Sequence, residues 1–310
     1  MKTLSLLLLL GLLALSAPAQ NYVPMPWTKT NSRPAAAAAL MHWPSNGLSV
    51  GAVFVDAVAG NDVSGTGAPD YPVASLGRAQ VLATNGGSVV AVRGTFSETG
   101  LGKTGVRWFF APGVVVNGPA AGVFTLTQTN SPLIVEGGGT STNYLLSVDA
   151  VTNGQAFVQL ESVTGSSSPA VLFSSTCLSN QIFVGAKTVK IDAAELVNFN
   201  TLASNSLNWV SFNARTIQAN PATSLTVDAP SATNHIVTAT ADEFKLSGNA
   251  AALKYYKFVL RGGTFSRNGK TVAVMAANWI FQGVTIVSSN ADFNSTLYGG
   301  VRGNYLIEAP

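Results

Sequence analysis

The sequence predicts an all-β solenoid, a stack of short parallel coils, on three observations. Apolar, β-rich clusters recur as VVAVRGTF (89–96), WFFAPGVVV (108–116), LIVEGGGT (133–140), FVQLESVT (157–164), IFVGAKTVKI (182–191), WVSFNARTI (209–217), IVTATADEFKL (236–246), FVLRGGTF (258–265), IFQGVTI (280–286) and YLIEA (305–309). Anchored at Leu133, Phe157, Ile182, Trp209, Ile236, Phe258 and Ile280, they lie 24, 25, 27, 27, 22 and 22 residues apart, a period in the twenties without helical patterning. The composition agrees: 47% of residues are apolar and 10% charged, and Val, Ala, Ser, Thr, Asn and 30 Gly suit short strands joined by tight turns. A coil of this length cannot bury its apolar face alone, whereas stacking at about 4.8 Å per rung pairs its backbone with both neighbours.

Ahead of the repeats, residues 1–19 read as a secretory signal peptide, with Lys2, an apolar run from Leu4 to Leu15 and an Ala17-Pro18-Ala19 ending. The run is shorter than the roughly 20 residues of a membrane helix, so no span is expected after cleavage. The mature chain is expected outside the cell, at its surface or in the periplasm. Residues 20–50 hold Pro24, Pro26, Pro34, Pro44, the run Ala35 to Ala39, Trp27 and Trp43. Prolines interrupt regular structure. This stretch is therefore either a tether draped over the first coil, pinned by its tryptophans, or an arm for self-association. Residues 51–310 are expected to form one domain.

That domain opens with Val53 to Gln80: a strand ending on Asp56, turn residues Asn61-Asp62 and Gly65 to Gly67, and an amphipathic stretch over 75–84. Leu76, Ala79, Val81 and Leu82 fall on one side of it, as a helix capping the stack requires. Phe54-Val55-Asp56, Gly60-Asn61-Asp62, Gly65, Pro72, the helix with Leu76 and Ala79, and Val89 to Phe96 resemble the opening of right-handed parallel β-helix proteins of the pectin-lyase-like superfamily. The resemblance implies a right-handed parallel β-helix, here of about nine or ten coils. It also implies engagement of polysaccharides along the outer face of one sheet. It does not imply catalysis, because one fold hosts many functions. The chain departs from the enzymatic members in lacking the aspartate cluster that binds calcium in the lyases.

Composition and motifs exclude several classes. The net charge of +3 includes Lys2 and is not concentrated in any basic cluster, which argues against nucleic acid as a partner. Cys177 is the single cysteine, so neither an internal disulfide nor a thiolate metal cluster can form, and a small buried hydrophobe is expected there. His42 and His235 are the only histidines and no G-x-S-x-G elbow exists, which leaves no basis for a serine triad or a zinc site. No metal or cofactor is expected. Gly100 to Gly105 matches G-x-G-x-x-G and contains Gly-Lys-Thr, but Ser97 stands where a P-loop needs its first glycine. It reads as a turn.

Two constellations could carry function. Glu136, Glu161, Lys187, Arg215 and Asp242 are spaced 25, 26, 28 and 27 residues apart, close to the coil period, and are expected to form a charged ladder. Glu136 and Glu161 one rung apart would sit near the ~5 Å carboxyl separation of retaining glycosidases. Lys187 or Arg215 could instead act as a lyase base or hold an acidic sugar. The alternative is a solvated edge of ion pairs. Tyr255, Tyr256 and Trp108 are candidate sugar-stacking aromatics, with core packing the competing role. The function expected is a structural or glycan-binding protein whose partner is a polysaccharide or surface glycan. A polysaccharide lyase or glycoside hydrolase, and a phage-like spike or fibre subunit, are the alternatives.

Overall fold

The computed structural model describes residues 51–308 apart from 119–121, 130, 144, 166–168, 175, 193–195, 200–206, 220–234, 247–256, 267–277, 283 and 288–304. The chain divides into Met1–Asn31 and Ser32–Pro310, and every described residue belongs to the second unit. The expected leader, the Pro/Ala-rich stretch and His42 lie outside the described residues.

The elements are β1 (Val53–Asp56), α1 (Leu76–Leu82), β2 (Ser88–Arg93), β3 (Thr95–Phe96), β4 (Arg107–Phe110), β5 (Val115–Gly118), β6 (Phe124–Leu126) and β7 (Leu133–Gly137). Next come β8 (Thr140–Asn143), β9 (Leu146–Val148), β10 (Gln155–Gly165), β11 (Val171–Phe173), β12 (Gln181–Ile191), β13 (Val197–Asn198) and β14 (Trp209–Ala219). The last are β15 (Ile236–Leu246), β16 (Lys257–Arg261), β17 (Thr264–Ser266), β18 (Asn278–Gln282), β19 (Val284–Val287) and β20 (Tyr305–Glu308). All pairings between these strands are parallel, each joining a strand to one from the preceding or following turn. A main sheet follows the order β1-β2-β4-β7-β10-β12-β14-β15, and a smaller one the order β13-β11-β9-β6. The result is the parallel β-solenoid that the repeats imply, with very little helix.

The 11-residue strands β10, β12 and β14, together with β15, show how each turn is built. Along β10, Ala156, Val158 and Leu160 point inward between Gln155, Phe157, Gln159 and Glu161. Then Glu161 and Ser162 both face out before Val163 resumes the inward set. Two successive outward residues break a period-2 pattern, so the strand turns a corner there. In-register stacking makes the interior a set of like-on-like columns, such as Val158, Val184, Phe212 and Ala239. These join one continuous core with Trp108, Phe110, Phe124, Phe173 and Phe199.

At the opening, residues after β1 return along its free edge. Phe54 N–H donates to Gly67 O, Val73 N–H to Phe54 O and Asp56 N–H to Val73 O. An unpaired strand edge is a template for unwanted pairing, and these bonds occupy it. Asp56 holds the turn by accepting from the N–H groups of Val58 and Ala59 and from Arg93, whose Nη2 lies 2.9 Å from Oδ2. Asp62 accepts from the N–H groups of Ala74 and Ser75. Ser75 then caps α1 by accepting from Arg78 N–H, and Glu98 accepts from the N–H groups of Leu76 and Gly77. Leu76 and Ala79 face the core.

Candidate functional site

The predicted ladder forms in part. Leu160 pairs with Ala186 and Ser162 with Thr188, so Glu161 lies beside Lys187 at the corner. The same register sets Lys187 beside Arg215 and Arg215 beside Asp242. All four are exposed. Glu161 and Lys187 form an ion pair at 3.2 Å, the kind of solvent-facing contact worth about 1 kcal/mol or less.

Glu136 does not belong to this column. It stands opposite Gln159, two residues short of Glu161, with Phe109 on its other side. Physically, β7 and β8 are separated by Gly138 and Gly139, whereas β10 runs on unbroken; the turn from Glu136 to its partner is therefore 23 residues, not 25. The two glutamates also look in opposite directions along the stack. Glu136 faces Arg107 at 3.7 Å, one turn back, and Glu161 faces Lys187, one turn on. The carboxylate pair required of a retaining glycosidase is not assembled.

Trp108 is likewise corrected. It is fully buried, edge-on to Phe124 with ring centroids 5.6 Å apart. On β4 the outward positions fall to Arg107 and Phe109, so Trp108 and Phe110 point inward and the indole is closed to a sugar. Tyr255 and Tyr256 lie outside the described residues.

An outer aromatic strip that the sequence reading did not single out stands on the same sheet. Phe157 and Phe183 share a column and stack with centroids 5.1 Å apart and planes 3° from parallel. On the next turn the column holds Ser211, but Trp209 leans in from the adjoining column. Its indole meets Phe183 at 5.7 Å and 63°, and Nε1 donates to Thr238 Oγ1 at 3.1 Å on the turn beyond. Phe157 is 41% and Trp209 36% exposed, an uncommon amount for side chains so large. The two phenyl rings cover each other's faces, so a ligand meets their edges and the indole. Beside the strip runs an amide and hydroxyl column of Gln159, Asn213 and Thr240, in which Gly185 leaves room for the Gln159 side chain.

A second feature is internal. Asn180, Asn208 and His235 precede β12, β14 and β15 and are all buried. Asn208 Oδ1 accepts from Asn180 N–H at 3.1 Å and from its Nδ2 at 2.9 Å, and Asn208 Nδ2 donates to Cys177 O. Asn208 N–H donates to His235 Nδ1 at 3.2 Å, which places the ring proton on Nε2. The imidazole stacks on Phe199 at 4.5 Å and 10°, and buried Nε2 takes no hydrogen-bond partner. Burial pulls the His235 pKa down to about 4. Cys177 is buried and donates to Val148 O, with its thiol pKa raised by burial. In the Gly100 to Gly105 turn, the N–H groups of Gly102 and Lys103 already donate to Gln80 Oε1, and Leu101 is buried, so this loop does not offer a phosphate cradle.

Among known proteins, no family model, curated protein or solved structure matches this chain. No helix among the described residues is long and apolar enough to cross a membrane.

Proposed function

We propose that this is an exported, right-handed β-helix of about nine or ten coils, capped by Leu76–Leu82, that binds polysaccharide or surface glycan without cleaving it. The observation that carries the reading is the outer strip of Phe157, Phe183 and Trp209. Exposed aromatics in line along one sheet, beside a column of amides, supply the apolar platform and orienting polar groups that sugar recognition uses. A ligand lying along the axis meets the same chemistry turn after turn, so weak contacts accumulate. The adjoining charged column carries two acids and two bases, Glu161, Asp242, Lys187 and Arg215, which favours a neutral glycan over a strongly anionic one. The lyase or hydrolase alternative draws no support from Glu136 and Glu161, each paired to a different cation.

The test is co-sedimentation with a panel of insoluble polysaccharides and affinity electrophoresis through soluble ones. Retention by at least one neutral glycan is expected, and Trp209→Ala weakens it about tenfold, as loss of a central tryptophan anchor does. Retention by none, or retention indifferent to both Trp209→Ala and Phe157→Ala, overturns the reading.

A further inference from the structure

Another part of the outer surface carries an inference independent of glycan binding. One outward column runs through Phe54, Val90, Phe109, Glu136, Gln159, Gly185, Asn213 and Thr240 on successive turns. Its chemistry changes sharply along the way. The first three members are apolar, only 3%, 0% and 7% exposed, and form a cluster separate from the core. From Glu136 onward the column is polar or glycine and meets solvent. Facing out on this sheet does not by itself bury a phenyl ring, since Phe157 in the adjoining column is 41% exposed. Ala52 and Val92 pack beside the trio, and the Arg107 guanidinium stands 5.8 Å from the Phe109 ring centre. These lie alongside it and leave its outward side to be covered by something larger. An apolar stretch of column that ends after three turns marks the footprint of a cover that ends there too.

We infer that residues 32–50 of the same chain supply this cover, lying across the outer face of β1, β2 and β4 with Trp43 seated on Phe54, Val90 and Phe109. The place where the chain enters supports the assignment. Gly51, three residues before Phe54, has φ +94°, a left-handed conformation that takes the upstream backbone out of the line of β1. Reach is ample: three rungs span about 10 Å, while a segment the length of Trp43 to Gly51 extends up to about 26 Å. Composition fits as well. His42-Trp43-Pro44 offers a large flat ring on backbone that the following proline keeps extended. A cover in the same chain also needs no second molecule, and so holds at any dilution.

Side-chain oxidation footprinting of the full chain tests this, at high and low protein concentration, with Trp43→Ala, Trp43→Phe and Trp27→Ala alongside the unaltered protein. Phe54 and Phe109 are expected to label several-fold more slowly than Phe157. Trp43→Ala raises labelling at Phe109 several-fold and leaves Phe157 unchanged, while Trp43→Phe and Trp27→Ala preserve the protection. Labelling of Phe109 at the rate of Phe157 in the unaltered chain overturns the inference, whether or not the alanine variant folds. So does indifference to Trp43→Ala, or a larger effect from Trp27→Ala. Protection that disappears on dilution, with a dimer seen by sizing, assigns the cover to a second copy and overturns it equally.

Discussion

Acid should loosen this fold through one side chain. His235 closes the buried row of Asn180 and Asn208, and its Nδ1 can accept from Asn208 N–H only while that nitrogen is unprotonated. Burial lowers its pKa from the ordinary 6.5 to about 4, so between those values the unfolded chain binds a proton that the folded chain refuses. The contribution is intact above about pH 6.5, drains away as the pH falls, and is fully lost by about pH 4. At about 1.4 kcal/mol per pH unit, the loss across that window is about 3 kcal/mol, a large part of a domain's net stability. The assay is urea unfolding at steps from pH 7.5 to 4, comparing the unaltered chain with His235→Asn. An asparagine continues the row as an acceptor without titrating. Carboxylates elsewhere titrate in both proteins and cancel in the difference. The curves should converge at acid pH by about the amount lost, and the His235 Cε1–H resonance should titrate near 4. Parallel curves, or a resonance titrating near 6.5, refute the reasoning.

Two further outcomes follow from the same geometry. Asn208→Ala strips the acceptor from Asn180 N–H and Nδ2 and the donor from Cys177 O, leaving buried polar groups unpaired. It should cost about 3 kcal/mol and lower the thermal midpoint, whereas Asn213→Ala on the outer face should change stability by about 0.5 kcal/mol or less. Glu161→Gln removes only an exposed ion pair, so stability should shift by less than about 1 kcal/mol. Glycan retention should be unchanged by it; release of reducing ends or unsaturated products by the unaltered chain, abolished in this variant, would restore the ladder as a catalytic site.

The strand clusters were legible because a half-exposed strand announces itself. Gln155 to Glu161 alternates polar and apolar without a break, and Phe157 then has to lie outside with Gln155 and Gln159. The phase was illegible where both faces are covered. Val53-Phe54-Val55, Val89-Val90-Ala91 and Trp108-Phe109-Phe110 are apolar throughout, so nothing in their pattern says that Trp108 rather than Phe109 points inward. Apolar anchors chosen without regard to phase also mixed the two faces: Phe157 is outward and Ile182 inward, and their true partners are Phe183 and Ala156. Glu136 slipped off the ladder because residues inserted at a corner shift spacing without altering the look of the strand. The buried row had a signal that went unread. A lone polar residue stands before each of three strands, Asn180, Asn208 and His235, at intervals of 28 and 27 that match the turns themselves.

The doubled outward step at the corner gives each turn a place to change length. From Val90 to Thr95 the chain takes five steps, from Phe109 to Val115 six and from Glu136 to Thr140 four, while Gln159 to Ser162 takes three. The columns on either side stay in register throughout. An added residue inside a straight run would swap that run's inner and outer faces. At the corner the alternation restarts, so the surplus is absorbed before it reaches the interior. Chain length and core identity are thus uncoupled at that edge of the stack. It is the position from which a lineage, or an engineer, could grow a loop without rewriting the hydrophobic columns.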